Sequence, residues 1–299
     1  MKKLSLKSYA KLNLYLEVVN RRPDNYHNIK TIFERINLSD DIILKLRPDR
    51  KIKIISSSPE IPKNNTNLAF RAAKLLQESL AIKQGVEVTI VKRIPVGAGL
   101  GGGSSNAAYT LLGLNKLWKL NHSKERLAGF ARRIGSDVAF FIYELPFALA
   151  GAKGDAIKPL KKLQGTKLWH VLIVPKIKVS TPMIYNAWDK LVKNRKKSEI
   201  HRLTKPEYNV KILTSALLKK DYPLVSQALF NSLEPVTVSI YPELKRIRNK
   251  FSLLGQQVIL MSGSGPAIFG IASSRKEAVS IHQQFEKEKR WRVYLVQTL

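Results

Sequence analysis

Apolar and polar positions alternate in short runs along the first fifth of the chain. Residues 4–8 and 12–19 carry the period of two that lets a strand turn one face to a core. Residues 29–38, 41–46 and 51–56 continue it, with Ser39-Asp40 and Pro48-Asp49 as turn signals between them. The period then lengthens. Across residues 67–80, Leu68, Ala72, Leu75 and Leu76 share a helical face, and Thr66 or Asn67 can cap it. Residues 86–94 read as a strand closed by Pro95. Residues 104–118 read as a helix with Ala107, Ala108, Leu111, Leu112 and Leu114 inward, and Ser123 caps another that ends near Gly135.

The character changes after Gly154. A strand at 169–175 and a helix at 181–192 are followed by a polar, basic stretch, 193–206, which reads as an exposed loop. The end of the chain reads helix (242–254), strand (257–261), a tight turn at 262–266, strand (267–272), helix (276–289) and strand (291–297). That order suggests a split βαβ, ferredoxin-like half. The expected class is α+β in two domains, 1–155 and 156–299, which agrees with a length prior of about two domains.

Composition changes this picture little. Apolar residues make up 44% and charged residues 25%, so the chain has the means to bury a core. The absence of cysteine excludes disulfides, a thiolate nucleophile and cysteine-bound zinc. No apolar run suits a signal peptide or a membrane span, so a soluble, cytoplasmic protein is expected. Charge is the unusual feature: 52 Lys+Arg against 22 Asp+Glu give +30, a field that attracts anions. The basic residues are spread along the chain, with short clusters such as 193–197. No RNA-recognition, zinc-finger or basic-zipper pattern accompanies them. The reading is a lysine-rich solvated surface that favours an anionic substrate, rather than a nucleic-acid interface.

The strongest local signal is the stretch Pro95, Val96, Gly97, Ala98, Gly99, Leu100, Gly101, Gly102, Gly103, Ser104, Ser105, Asn106. A strand leads into it and a helix leaves it. Five glycines in seven residues let the backbone approach a ligand and take positive φ. Backbone N–H groups then gather at the positive end of a helix, where polyphosphate binds. A flexible hinge or a close packing turn is the plainer alternative, but two serines at the helix start favour phosphate. A Walker A loop would need Gly-Lys-Ser/Thr, and no lysine lies between Arg93 and Lys116. The H-R-D and D-F-G elements of protein kinases do not occur. Gly97, Gly99 and Gly102 match a dinucleotide loop formally, yet the first acid after it, Glu125, falls in the first turn of a helix rather than at a strand end.

The stretch resembles the phosphate motif of the GHMP kinases. Further segments fall in the order of one family among them: Ala-Lys-Leu-Asn-Leu at 10–14, Arg-Pro-Asp-Asn-Tyr-His at 22–27, Ile-Gly-Ser-Asp-Val-Ala-Phe-Phe at 134–141 and Met-Ser-Gly-Ser-Gly-Pro at 261–266. Together they resemble the family that phosphorylates 4-diphosphocytidyl-2-C-methyl-D-erythritol in the non-mevalonate isoprenoid pathway, over residues 5–272 or so. Departures from its usual pattern are Tyr9 and Ala139 in place of proline, Asn25 and Ala98 in place of glycine, and Ser232 where Asn-Asp-Leu-Glu is usual.

The resemblance implies a GHMP kinase fold, with an N-terminal half like the second domain of ribosomal protein S5 and a ferredoxin-like C-terminal half. It implies ATP as phosphoryl donor on loop 95–106, with Ser105 as a hydroxyl contact. Magnesium is expected mainly on the nucleotide, since no acid cluster has metal-ligand spacing. Asp137 becomes the general base and Lys11 its partner. From the residues alone, Asp137 is at least as readily a turn or cap residue, and Lys11 a surface lysine, although Lys11 and Asn13 share one strand face. The resemblance assigns the cytosine to Tyr26 and His27, and Phe33, Thr181, Tyr185, Gly263 and Gly265 to the rest of the substrate site. Another GHMP small-alcohol kinase is the alternative. The sequence does not separate a monomer from a homodimer.

Overall fold

A computed structural model describes residues 2–194 and 208–299, so most of the expected loop at 193–206 lies outside the described residues. The chain opens with one long antiparallel pair, β1 (Lys3–Arg21) and β2 (His27–Arg47), where the pattern predicts four short strands. Register shifts at Tyr9/Ala10, Asn13/Tyr15 and Val18/Asn20 explain the difference. Each shift restarts the alternation, so continuous strands read as broken ones.

Ser39-Asp40, read as a turn, sits mid-strand opposite Tyr9 and Ser8. Asp40 is fully buried there, and four donors satisfy it. Its Oδ1 accepts from Arg93 N at 2.7 Å and Ile94 N at 2.8 Å; its Oδ2 accepts from Lys92 Nζ at 2.6 Å and Asn106 Nδ2 at 2.9 Å. A carboxylate so satisfied has no need of a turn's exposed N–H groups.

β3 (Ile52–Ser56) runs parallel to β4 (Gly85–Val91), which pairs with the second half of β2. β5 (Phe147–Gly151) pairs with the first half of β2, and β6 (Ala156–Pro159) with β5. The expected division at 155 falls inside that β5–β6 hairpin. Helices α1 (Leu68–Ser79), α2 (Gly102–Leu117), α3 (Lys124–Arg132) and α4 (Val138–Tyr143) cover this sheet through a core that includes Leu76, Val88, Leu111, Phe140 and Phe141. Asn67 caps α1 and Ser123 caps α3. α2 begins two residues before its expected start, inside the glycine run.

The second sheet has the order β11-β7-β10-β9 and is antiparallel throughout. Its strands are β7 (Trp169–Pro175), β9 (Ile259–Met261), β10 (Ile268–Ala272) and β11 (Trp291–Gln297). α5 (Thr181–Lys193) follows β7. α6 (Val210–Lys219), α7 (Tyr222–Ala228) and α8 (Glu234–Ile240) carry no sequence expectation. α9 (Pro242–Leu253) precedes β9 and α10 (Arg275–Glu286) precedes β11, which gives the β-α-β-β-α-β order of the ferredoxin-like arrangement. A two-residue strand, β8 (Phe230–Asn231), returns to the first sheet beside β1. Among the described residues, no helix is long and apolar enough to cross a membrane.

The halves meet backbone to backbone. Ala267 N donates to Ala98 O at 3.3 Å, and Ser262 Oγ donates to Gly99 O at 3.1 Å. Gly99 has φ +76°, and a methyl group there would lie 2.1 Å from Ser262 O. Deeper in, Glu34 Oε1 accepts from Thr298 Oγ1 at 2.6 Å and stands 2.8 Å from His170 Nε2, all fully buried.

Two substitutions test these ties. Asp40→Asn leaves a buried lysine against a neutral amide, and the expected loss is about 3–5 kcal/mol, read from the urea unfolding midpoint. Gly99→Ala forces a side chain into left-handed backbone against a carbonyl oxygen. It should cost at least about 1–3 kcal/mol in the same measurement; an unchanged midpoint would refute the close approach.

Candidate active site

Lys11, Asn13, the glycine loop and the turn residues Gly263 and Ser264 converge on one cleft of about 750 Å³. The loop forms one wall. Gly97, Gly99 and Gly101 have φ of +67°, +76° and +68°, left-handed at alternate positions. Gly101 stands at the start of α2, and Ser105 N donates back to its carbonyl at 2.8 Å. The N–H groups of Gly102, Gly103 and Ser104 precede the first intrahelical bond and stay free for a ligand. At Gly101 a methyl group would meet Phe141 Cζ at 3.0 Å and Lys11 Cγ at 3.1 Å. The loop therefore lies flat on the lysine stem.

Residues 95–104 all line the cleft, but the last two loop positions do not. Ser105 is fully buried and accepts from Ser8 Oγ at 2.8 Å. Asn106 donates to Ser8 Oγ and to Asp40 Oδ2, both at 2.9 Å. Helical periodicity turns these two side chains inward, where they tie α2 to the sheet; Ser104 is the loop hydroxyl at the cleft.

Lys11 and Asn13 point from β1 into the floor. Lys11 Nζ donates to Asn13 Oδ1 at 2.5 Å and lies 3.6 Å from Asp137 Oδ2. Asn13 Nδ2 donates to Thr31 Oγ1 at 2.8 Å, which fixes its oxygen toward the lysine. Burial pushes the Lys11 pKa below the ordinary lysine value, opposed by the charge of Asp137. Asp137 sits at the start of α4, where its side chain caps no N–H group, and is 30% exposed, so its carboxylate remains available.

The far wall comes from the β1–β2 turn and α5. Asn25 has φ +63°, the conformation expected of asparagine where the family has glycine. Tyr26 is 56% exposed, with Lys153 Nζ 5.0 Å above its ring. His27 is buried and stacks on Tyr185 with ring centroids 4.8 Å apart. Burial raises the Tyr185 phenol pKa, and the charge of Asp137 adds to the rise. Thr181 Oγ1 is 2.8 Å from Ser264 Oγ, which joins α5 to the second glycine turn.

Of the remaining expected substrate residues, Phe33 lies under the cleft and Gly265 outside it. Phe33 borders the cleft but is fully buried, packed on Phe140 at 4.9 Å with Lys11 Nζ 5.3 Å from its ring. It supports the lysine from below. Gly265 faces the core: a methyl group there would lie 2.7 Å from Met261 Sδ, and only Gly263 and Ser264 of that turn reach the cleft.

Asp24, Lys92, Ser136, Lys153, Asn186 and Ser264 also line the cleft without having been singled out. Asp24, Ser136 and Ser264 lay inside motifs already noted. Lys92 and Lys153 are anonymous among 52 basic residues. Asp189, one helical turn beyond Tyr185, meets His27 and had no local signal.

Comparison with known proteins agrees with this geometry. Residues 67–144 match the GHMP kinases N terminal domain, and residues 213–290 match GHMP kinases C terminal. The chain is 42% identical over 270 residues to 4-diphosphocytidyl-2-C-methyl-D-erythritol kinase of Geobacillus kaustophilus, covering 90% of this chain and 88% of that one. It is 39% identical to the kinase of the same name from Shouchella clausii, covering 94% and 89%. A crystal structure of 4-(cytidine 5'-diphospho)-2C-methyl-D-erythritol kinase superposes with a TM-score of 0.78 at 32% identity, over 99% of this chain and all of that one. L. major mevalonate kinase superposes at 0.76 with 18% identity, over 99% and 96%, which speaks for the fold alone. With both GHMP domains present and this likeness running nearly end to end, the chain belongs to the 4-diphosphocytidyl-2-C-methyl-D-erythritol kinase family of the GHMP kinases.

Proposed function

We propose that the chain transfers the γ-phosphoryl group of ATP to the 2-hydroxyl of 4-diphosphocytidyl-2-C-methyl-D-erythritol. One observation carries the reading: the Lys11–Asp137 pair, 3.6 Å apart, stands in the same cleft as a helix-starting glycine loop and an aromatic wall. The loop suits the nucleotide phosphates, and Tyr26, His27 and Tyr185 suit a planar base.

Asp137 takes the proton of the attacking hydroxyl. That oxygen forms its bond to the γ-phosphorus as the bond from phosphorus to the β-phosphate oxygen breaks, and ADP leaves. Lys11 orients the Asp137 carboxylate, and the hydroxyl meets both groups from the cleft side. Its own downward shift is part of the same design, since a buried ammonium beside a carboxylate is a strong local dipole and not a hydrated surface charge. Free N–H groups at the start of α2 stabilise negative charge on the transferring group.

Among the described residues, no three acidic or imidazole side chains converge as a metal site. Magnesium carried in on the ATP phosphates fits this donor set, where Asp137 and Asp24 are the carboxylates at the cleft. When bound, it would neutralise phosphate charge; orientation and proton removal fall to the chain.

Asp137→Asn should keep its melting temperature and lower kcat by about 10²–10⁴-fold in a coupled ADP-release assay with the cytidylyl acceptor. Near-normal turnover in a folded variant would refute the base. Equal turnover of homoserine or mevalonate by the unmodified enzyme would move the reading to another small-alcohol kinase.

A further inference from the structure

His27 is held more firmly than a base-binding histidine needs to be. It is the first residue of β2, paired with Arg21 across the hairpin, and its side chain is only 5% exposed. Three residues of a single helix, α5, fix its ring. Tyr185 stacks on it at 4.8 Å and 29°, and Trp188 meets it edge-on at 5.8 Å and 90°. Asp189 Oδ1 lies 2.8 Å from its Nε2. Tyr185 and Asp189 are four residues apart, so one helix face supplies both the stack and the carboxylate.

A carboxylate only accepts hydrogen bonds, so Nε2 must carry the proton. In the neutral ring that leaves Nδ1 bare, as an acceptor. Among the described residues, Nδ1 has no protein partner. It is also not sealed away: the buried ring nitrogens without partners are those of His122 and His170, whereas His27 borders the cleft. The other Asp189 oxygen has Arg21 Nη1 at 3.4 Å, an ion pair on the side away from the ring.

We propose that Asp189 is a positioning residue that locks the His27 tautomer, so that the site selects a base carrying an exocyclic amine, cytosine over uracil. The inference rests on the cytidylyl reading of the cleft. An acceptor at Nδ1 meets the amine of cytosine as a donor. It meets the corresponding carbonyl of uracil as a second acceptor, and two buried lone pairs then face each other unpaired. Without Asp189 the ring is free to move its proton to Nδ1 and to accommodate the carbonyl.

Two measurements test this. In the first, kcat/KM is compared for the cytidine- and uridine-linked diphosphate acceptors, in wild type and in the near-isosteric Asp189→Asn. Wild type should favour cytidine, and the variant should lower the cytidine-to-uridine ratio about tenfold, the equivalent of roughly 1.4 kcal/mol. The change should appear mainly in KM, with kcat at saturation nearly unchanged. A ratio that stays the same in a folded, active variant overturns the proposal. In the second, ¹⁵N NMR of the ligand-free wild type reads the His27 tautomer directly. In the neutral form of the ring, protonation at Nε2 is expected, and protonation at Nδ1 overturns the lock. If neither acceptor turns over, the substrate reading fails, and the NMR result alone then decides whether Asp189 sets the tautomer.

Discussion

The approach of two backbones at Gly99 and Ser262 is the constraint on which the site depends. A methyl group at Gly99 would lie 2.1 Å from Ser262 O, so the glycine loop and the second glycine turn can touch only because the side chain is missing. Ser262 Oγ then bridges them, donating to Gly99 O while Asn13 N reaches it at 3.3 Å. Asn231 secures the turn from the other side, donating to both Met261 O and Gly263 O at 2.8 Å. Glycine loop, lysine strand and second half are thereby held in one frame. A reacting group has to be kept within a fraction of an ångström of productive geometry, and short rigid ties of this kind supply that.

The same frame decides which charges are free to act. Lys92 borders the cleft, yet its ammonium is bound to buried Asp40, and burial lowers its pKa against that pull. Its role is to hold the strand that leads into the loop. Lys11 is paired more loosely, 3.6 Å from a carboxylate that is partly open to solvent. The gap is too long for a good hydrogen bond, so both groups keep bonding capacity toward the cleft. Two lysines of similar burial thus differ in availability because one carboxylate is sealed and fully satisfied and the other is not.

Much of this was legible in the sequence where a single local rule governs. The glycine run, its helix, the capped helices at Asn67 and Ser123 and the C-terminal β-α-β-β-α-β order all follow from short-range pattern. The long β1–β2 pair was not legible, because bulges reset its alternation. Asp40 read as a turn because its four donors come from residues 52 to 66 positions away. The inward rotation of Ser105 and Asn106 depends on α2 starting at Gly102, two residues before the serine that seemed to begin it. Asp189 was invisible for the most general reason: its partner lies 162 residues away, and nothing near it in the chain marks the meeting.

The departures from the family's usual pattern follow the same logic. Ala98 replaces a glycine, but it stands between left-handed Gly97 and Gly99 without sharing their positive φ, so a methyl group is tolerated. Ala139 lies fully buried in the first turn of α4, where an alanine continues the helix as readily as a proline begins one. Ser232 turns its hydroxyl to Val18 N at 3.0 Å and so joins the returning strand to β1. Tyr9 packs edge-on against Tyr109 at 6.3 Å under the Arg35 guanidinium. Each substitution falls where the backbone permits a side chain. Gly99 and Gly101, where a side chain would strike the Ser262 carbonyl or the Lys11 stem, remain glycine. The least room for a side chain is therefore found at the few positions where backbone must touch backbone or lie against the Lys11 stem.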